Sequence, residues 1–275
     1  MLWTRRQVYF LNRSLVLIVL VGALGTLFLQ PHTWWQWSLD LLFRSYLIFV
    51  GSTLAHESSH FHLGATSRAN LWWGRLAVVP STVPALNFRM THLAHHAYTN
   101  IPEKDPDYFL KPNHAWEIPF RCLGLPHWWL LWLFRNGKIG KKQWVELVTT
   151  YLVYGLVYGA IISVVGVSRV AWGVLPALFA NSILLWYFFA VKTHDGYSTG
   201  HPDSRSHNYY GRWIYWFSVG LSMHRVHHLQ PKLGWIEILP FVEEIKADEK
   251  VPGTFFQRFG LKRNMVPDDS SSALT

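Results

Sequence analysis

The feature that most constrains this 275-residue chain is the length of its apolar runs. A helix needs about 20 residues to cross the roughly 30 Å hydrocarbon core of a bilayer, and four stretches meet or nearly meet that length. Residues 15–29 carry no charge, and Tyr9 and Phe10 extend the run toward the N-terminus. In residues 39–55 the only charges are Asp40 and Arg44, an i,i+4 pair able to neutralise itself. The predicted spans are 9–29, 39–55, 144–167 and 170–191. The first is expected to be a retained anchor, because Gln30-Pro31-His32 and Trp34-Trp35 follow it in place of the small residues a signal peptidase needs. The expected fold is all-α, a polytopic integral membrane protein with about four transmembrane helices, residues 1–275 forming one domain.

Loop charges orient the helices. Lys and Arg total 25 against 16 Asp and Glu, a formal charge of +9. If Arg5, Arg6 and Arg13 keep the N-terminus in the cytoplasm, the outward loop near residues 30–38 has no Lys or Arg, and the one near 166–170 has only Arg169. Nearly all other basic residues then fall on the cytoplasmic side, as the positive-inside rule asks. The charge therefore reads as topology, with both termini cytoplasmic, and nucleic acid is not expected as a partner. Residues 71–90 are broken by Arg75, Pro80, Pro84 and Arg89, and residues 116–134 by Pro119, Arg121 and Pro126. Both stretches are expected to be interfacial or re-entrant, with Trp72, Trp73, Trp128, Trp129 and Trp132 at headgroup depth and membrane lipids as neighbours. The tail, residues 264–275, is expected to be flexible. The ending Ser-Ala-Leu-Thr carries no retention signal, which favours a bacterial cytoplasmic membrane.

Fifteen histidines accompany a single cysteine, so an internal disulfide framework, a Cys-based zinc cluster and an iron–sulfur site are excluded. The histidines concentrate in three clusters: His56-Glu57-Ser58-Ser59-His60, His92-Leu93-Ala94-His95-His96 and His224-Arg225-Val226-His227-His228. Each contains an i,i+4 pair, and two add an i+3 member, so each cluster is expected to aim its imidazoles at one point from one helix face. All three lie on the cytoplasmic side of the predicted topology, where they form a histidine-rich cap. Imidazoles in this number suit iron, copper or zinc better than magnesium or calcium. Ionisable groups beside membrane spans are costly and functional by default. His32, His62, His114 and His127 are expected to be ordinary interfacial or hydrogen-bonded residues; His62, two past His60, points to a different helix face.

His56-Glu57-x-x-His60 is also the zinc metalloprotease pattern, in which the glutamate acts as general base on a metal-bound water. An intramembrane protease is therefore a distant alternative, with a third ligand sought around His194-Asp195-Gly196. It leaves most of the clustered histidines without a role.

With its spans and three boxes, the sequence resembles the membrane fatty-acid desaturase superfamily, which also includes acyl, alkane and carotenoid hydroxylases. The likeness extends to Ala97-Tyr98-Thr99-Asn100 and Asp105-Pro106-Asp107 after the second box, and to His207-Asn208-Tyr209-Tyr210 before the third. Leu229, Pro231 and Leu239-Pro240 close the resemblance, which covers residues 40–242. It implies a non-haem centre of two Fe with O2 as co-substrate, the ligands being His56, His60, His92, His95, His96, His224, His227 and His228. A ninth nitrogen ligand is implied between the last span and the third box: His194 is the choice and His201 the rival. Some desaturases carry an Asn four residues before that ligand; Ala190 stands there in this chain. Carboxylates that could accept the second ring N–H of a ligand are Glu57, Asp105, Asp107, Asp195 and Asp203, with Asp105 and Asp107 the best placed.

The implied activity is O2-dependent oxidation of an unactivated C–H bond in a lipid or fatty-acyl chain. The third box with its trailing Leu229-Gln230-Pro231 favours desaturation over hydroxylation of an acyl, alkane or carotenoid substrate. An apolar tunnel for the chain is expected near Trp72, Trp73, Val78, Val79, Trp186, Tyr187 and Phe188. With no cysteine cluster and no nucleotide-binding glycine motif, electrons must come from a separate ferredoxin, rubredoxin or cytochrome. Arg135, Lys138, Lys141 and Lys142 form a basic cluster suited to an acidic carrier or to anionic headgroups.

Overall fold

The computed structural model describes residues 3–194 and 206–244. Its regular elements are helical. Two long antiparallel helices come first, α1 (Arg5–Gly25, prolonged by a 3-10 turn, Thr26–Phe28) and α2 (Trp34–Ser59). Shorter helices follow, α3 (Ser67–Val78), α4 (Ala85–Tyr98) and α5 (Ile118–Arg135). The long α6 (Lys141–Val165) precedes α7 (Val167–Ala180), which continues through a π-helical stretch, Asn181–Val191, to a 3-10 turn, Lys192–His194. Three short helices complete the described residues, α8 (Arg212–Phe217), α9 (His224–Leu229) and α10 (Trp235–Ile238).

Among the described residues, four helices are long and apolar enough to cross a membrane: Arg5–Phe28, Trp34–Ser59, Lys141–Val165 and Val167–His194. They coincide with the predicted spans but mostly run longer. Two of the extensions have a visible cause: Thr4 with Gln7 and Thr33 with Gln36 form capping boxes that start α1 and α2 several residues before the apolar run. At a rise of 1.5 Å per residue, α2 is about 39 Å long, more than the roughly 30 Å hydrocarbon core. Its last turn carries His56, and His60 is its C-cap. Gly51 lets α2 approach α3 closely, because a β-carbon there would collide with the Ala77 carbonyl oxygen.

A buried ion network ties the opposite end. Arg44 pairs with Asp40 at 2.6 Å and donates to the Ala23 carbonyl. Arg169 bonds the other Asp40 oxygen at 3.1 Å and donates to the carbonyls of Thr26, Leu27 and Leu29. The Asp40–Arg44 pair expected from sequence is therefore a triad, in which Arg169 also caps the C-terminus of α1. The loops after α1 and α6 thus meet at one end, while α2 and α7 deliver histidines to the other.

At the histidine end, α5 corrects one expectation. The indoles of Trp128, Trp129 and Trp132 point at the loop after α4: they donate to the Pro106 carbonyl at 2.8 Å, to Asp107 Oδ1 at 2.7 Å and to the Glu103 carbonyl at 3.3 Å. Trp129 and Trp132 are buried. An indole N–H buried in apolar surroundings needs an acceptor, and this loop supplies three. Trp72 is exposed, with Arg75 over its ring.

Candidate metal centre

Among the described residues, nine imidazoles gather in two groups: His56, His60, His92, His96 and His227 in one, and His95, His194, His224 and His228 in the other. Within each group one nitrogen from every ring lies within 4.8 Å of the others. The nine are the eight box histidines plus His194, so the structure brings these sequence-predicted residues together. His201, Asp195 and Asp203 lie outside the described residues, as does the tail 264–275.

The boxes do not each aim at a single point, as the sequence reading expected. Successive helical residues are about 100° apart, whereas i and i+4 nearly eclipse. On α4, His92 and His96 therefore turn to the five-membered group and the intervening His95 to the other. On α9 the roles are exchanged: His224 and His228 turn to the four-membered group and His227 to the five-membered one. The two helices thus cross-supply both groups, α2 adds a pair to the first, and the end of α7 adds His194 to the second. His96 and His228 stack between the groups, ring centroids 4.3 Å apart.

The Nε2 atoms face one another. His92 Nε2 lies 2.7 Å from His60 Nε2 and 3.0 Å from His96 Nε2, which is itself 2.9 Å from His227 Nε2. In the second group His194 Nε2 is 2.8 Å from His224 Nε2 and 3.2 Å from His95 Nε2, and His228 Nε2 is 3.1 Å from His224 Nε2. Burial, and then the neighbouring imidazoles, push the pKa values of His60, His92, His96, His224, His227 and His228 down. These rings are therefore neutral, with lone pairs to offer. One proton can bridge one facing pair, but it cannot serve four or five converging nitrogens. His56 Nε2 is buried without a hydrogen-bond partner, and the polar group beside its Nδ1 is the Glu57 carboxylate, 3.4 Å away. A donor set of converging imidazole nitrogens fits borderline transition metals, iron among them.

Carboxylates stand behind two of the rings. Asp105 Oδ1 is 2.9 Å from His95 Nδ1 and accepts the Asp107 backbone N–H at 2.9 Å, while Oδ2 accepts the Asn100 N–H at 2.8 Å. Burial raises the Asp105 pKa, but His95 and the two amides outweigh it and the net shift is downward. Burial likewise opposes charge on His95, yet Asp105 and then Asp107 raise its pKa to about 9. Glu57 Oε1 lies 3.4 Å from His56 Nδ1; its Oε2 lies 2.9 Å from His62 Nδ1 and accepts the Trp235 N–H at 3.2 Å. This environment does not suit the zinc-protease alternative, whose glutamate must address a metal-bound water.

His62 is fully buried and hydrogen-bonded, while His32, His114 and His127 are exposed; all four stand outside the two groups. The position of His62 behind Glu57 was not foreseen. A second unforeseen contact explains the stretch before the third box: Asn208 Oδ1 accepts the N–H groups of Arg225 at 3.0 Å and Val226 at 3.3 Å, capping the start of α9. Of the expected tunnel walls, Tyr187 lines a cleft of about 300 Å3 that also reaches His95, His194, Asp105 and Asp107.

No individual curated protein matches the chain. A family model described as fatty acid desaturase matches residues 32–253, which include both imidazole groups and the helices that supply them. On that match the chain belongs to the fatty acid desaturase family.

Proposed function

We propose that the protein is a membrane-bound non-haem di-iron oxidoreductase that desaturates a lipid or fatty-acyl chain in an O2-dependent reaction. The observation that carries this reading is the division of nine converging imidazoles into groups of five and four, enough for two ions. His56, His60, His92, His96 and His227 would hold one iron, and His95, His194, His224 and His228 the other. When bound, the two irons supply O2 reduction and hydrogen removal from an unactivated C–H bond.

The chain's own residues hold the donors and exclude water. Asp105 fixes His95 through Nδ1, and Glu57 stands at Nδ1 of His56, so each ring keeps Nε2 for its group. Buried Phe88 lies parallel to His92, with centroids 5.7 Å apart, and buried Met223 precedes the third box while buried Val226 lies within it, giving the groups apolar neighbours. Electrons come from a ferredoxin-, rubredoxin- or cytochrome-type carrier, for which exposed Arg135, Lys138, Lys141 and Lys142 form a docking face. The site faces the cytoplasm, following the loop-charge bias.

Hydroxylation uses the same ligands, so product analysis is the test. Cells producing the wild-type chain should accumulate an unsaturated acyl product that cells producing a His95→Ala variant lack. A new alcohol in place of the alkene would replace desaturation by hydroxylation, and identical lipid profiles would remove the oxidase reading.

A further inference from the structure

Residues 1–31 precede the segment matched by the desaturase family, yet α1 contacts the residues that stand behind Glu57, the neighbour of His56 in the five-imidazole group. Asn12, on α1, is 0% exposed. Its Nδ2 donates to the His62 carbonyl at 2.9 Å, and its Oδ1 accepts the Trp235 indole N–H at 2.9 Å. His62 and Trp235 are the two residues that hold Glu57 Oε2, through a ring nitrogen and a backbone N–H. One amide therefore pins both supports of the carboxylate that stands 3.4 Å from His56 Nδ1.

An amide inside an apolar span is costly unless both of its ends are paired. Asparagine offers a donor and an acceptor side by side, matching a carbonyl on one neighbour and an indole N–H on the other. Arg5, on the same helix, reinforces the join: it donates to the Lys232 carbonyl at 2.8 Å and to Glu237 Oε2 at 2.9 Å, just before and just after Trp235 in sequence. The Lys232 carbonyl also lies 3.2 Å from His62 Nε2.

We infer that Asn12 is a positioning residue for the five-imidazole group: by fixing His62 and Trp235 it sets the Glu57 carboxylate, and through it the orientation of His56. The inference rests on the reading that this group holds a metal ion. It makes α1 part of the site's support, beyond its service as an anchor.

The test compares Asn12→Leu, which keeps the branched four-atom side-chain skeleton but removes both hydrogen bonds, with Val16→Ala, which weakens α1 packing at another buried position. Purified proteins are loaded with ferrous iron, and metal loss to a chelator is followed together with the Mössbauer spectrum. Wild type should release two ions, and Asn12→Leu should weaken one of them selectively, by up to the roughly 10-fold lower end of what losing a direct partner of a ligand costs, with an altered signal from that iron alone. Val16→Ala should lower the melting temperature while leaving both ions as in wild type. If Asn12→Leu holds both ions like wild type, or if Val16→Ala produces the same selective loss, the inference is overturned and the di-iron reading stands. A wild-type chain that binds no metal overturns the di-iron reading and this inference with it.

Discussion

Asp105 Oδ1 lies 2.9 Å from His95 Nδ1, on the far side of the ring from the Nε2 that faces His194 at 3.2 Å. The carboxylate is itself held by two backbone N–H groups, from Asn100 and Asp107, so it cannot follow the ring if the ring turns. The second box therefore brings its own brace, ten residues downstream of the histidine it holds.

Replacing Asp105 tests that brace. Asp105→Asn keeps the shape but turns one acceptor oxygen into a donor, in a pocket where three donors converge. Metal affinity at the four-imidazole group should fall about 10- to 100-fold, with the five-imidazole group unchanged. Chelator competition on purified protein measures both, and equal retention of two ions would show that Asp105 does not hold His95 for a metal.

The indole clamp on the same loop predicts a stability effect. Trp129→Phe keeps most of the buried ring but removes the N–H that bonds Asp107 Oδ1 at 2.7 Å. Hydrogen bonds to charged groups contribute about 1.5–3 kcal/mol, so the variant should be destabilised by about that amount in denaturant titrations in detergent. No change would return Trp129 to the role of an interfacial anchor.

The triad at the opposite end should be separable from the chemistry. Asp40→Ala leaves the Arg44 and Arg169 guanidiniums buried without their carboxylate, and breaking a buried pair in this way costs about 3–5 kcal/mol. The melting temperature should drop clearly, while folded protein at low temperature keeps its metal content. Selective loss of metal with unchanged stability would contradict the separation of the two ends.

Cys122 supplies a pH-dependent test. The thiol is buried on α5, and desolvation pushes its pKa from an ordinary value near 9 to about 12. Since the thiolate is the nucleophile, alkylation at pH 8 should be about a thousandfold slower than for an exposed thiol. The rate should still climb about tenfold per pH unit from 8 to 10, where an ordinary thiol levels off. Fast labelling at pH 8 in the folded protein would show the thiol to be accessible and unperturbed.

The sequence made some of this legible and hid the rest for physical reasons. Apolar runs of about 20 residues have few other fates, so all four spans were visible, although Thr4 and Thr33 start their helices before the apolar pattern does. The eight box histidines were legible from helical spacing, but their division into groups was not, because it depends on how α4 and α9 face each other. Adjacent His95 and His96 already carried a hint, since neighbouring helical residues cannot share a face. Tryptophans at interfaces and tryptophans clamping a loop look alike in composition, and only the partners of Trp128, Trp129 and Trp132 distinguish them. Asn12 was a visible signal that went unused, a polar residue inside an apolar span. Its partners, His62 and Trp235, lie 50 and 223 residues away and required the fold.

The measurement that bears most directly on the account is metal content per chain in the purified full-length protein, by elemental analysis after anaerobic loading. Two groups of converging imidazoles predict about two iron ions per chain, both lost in a variant carrying His92→Ala and His224→Ala together. A single zinc ion per chain, or no bound metal with the fold intact, would contradict the central claim.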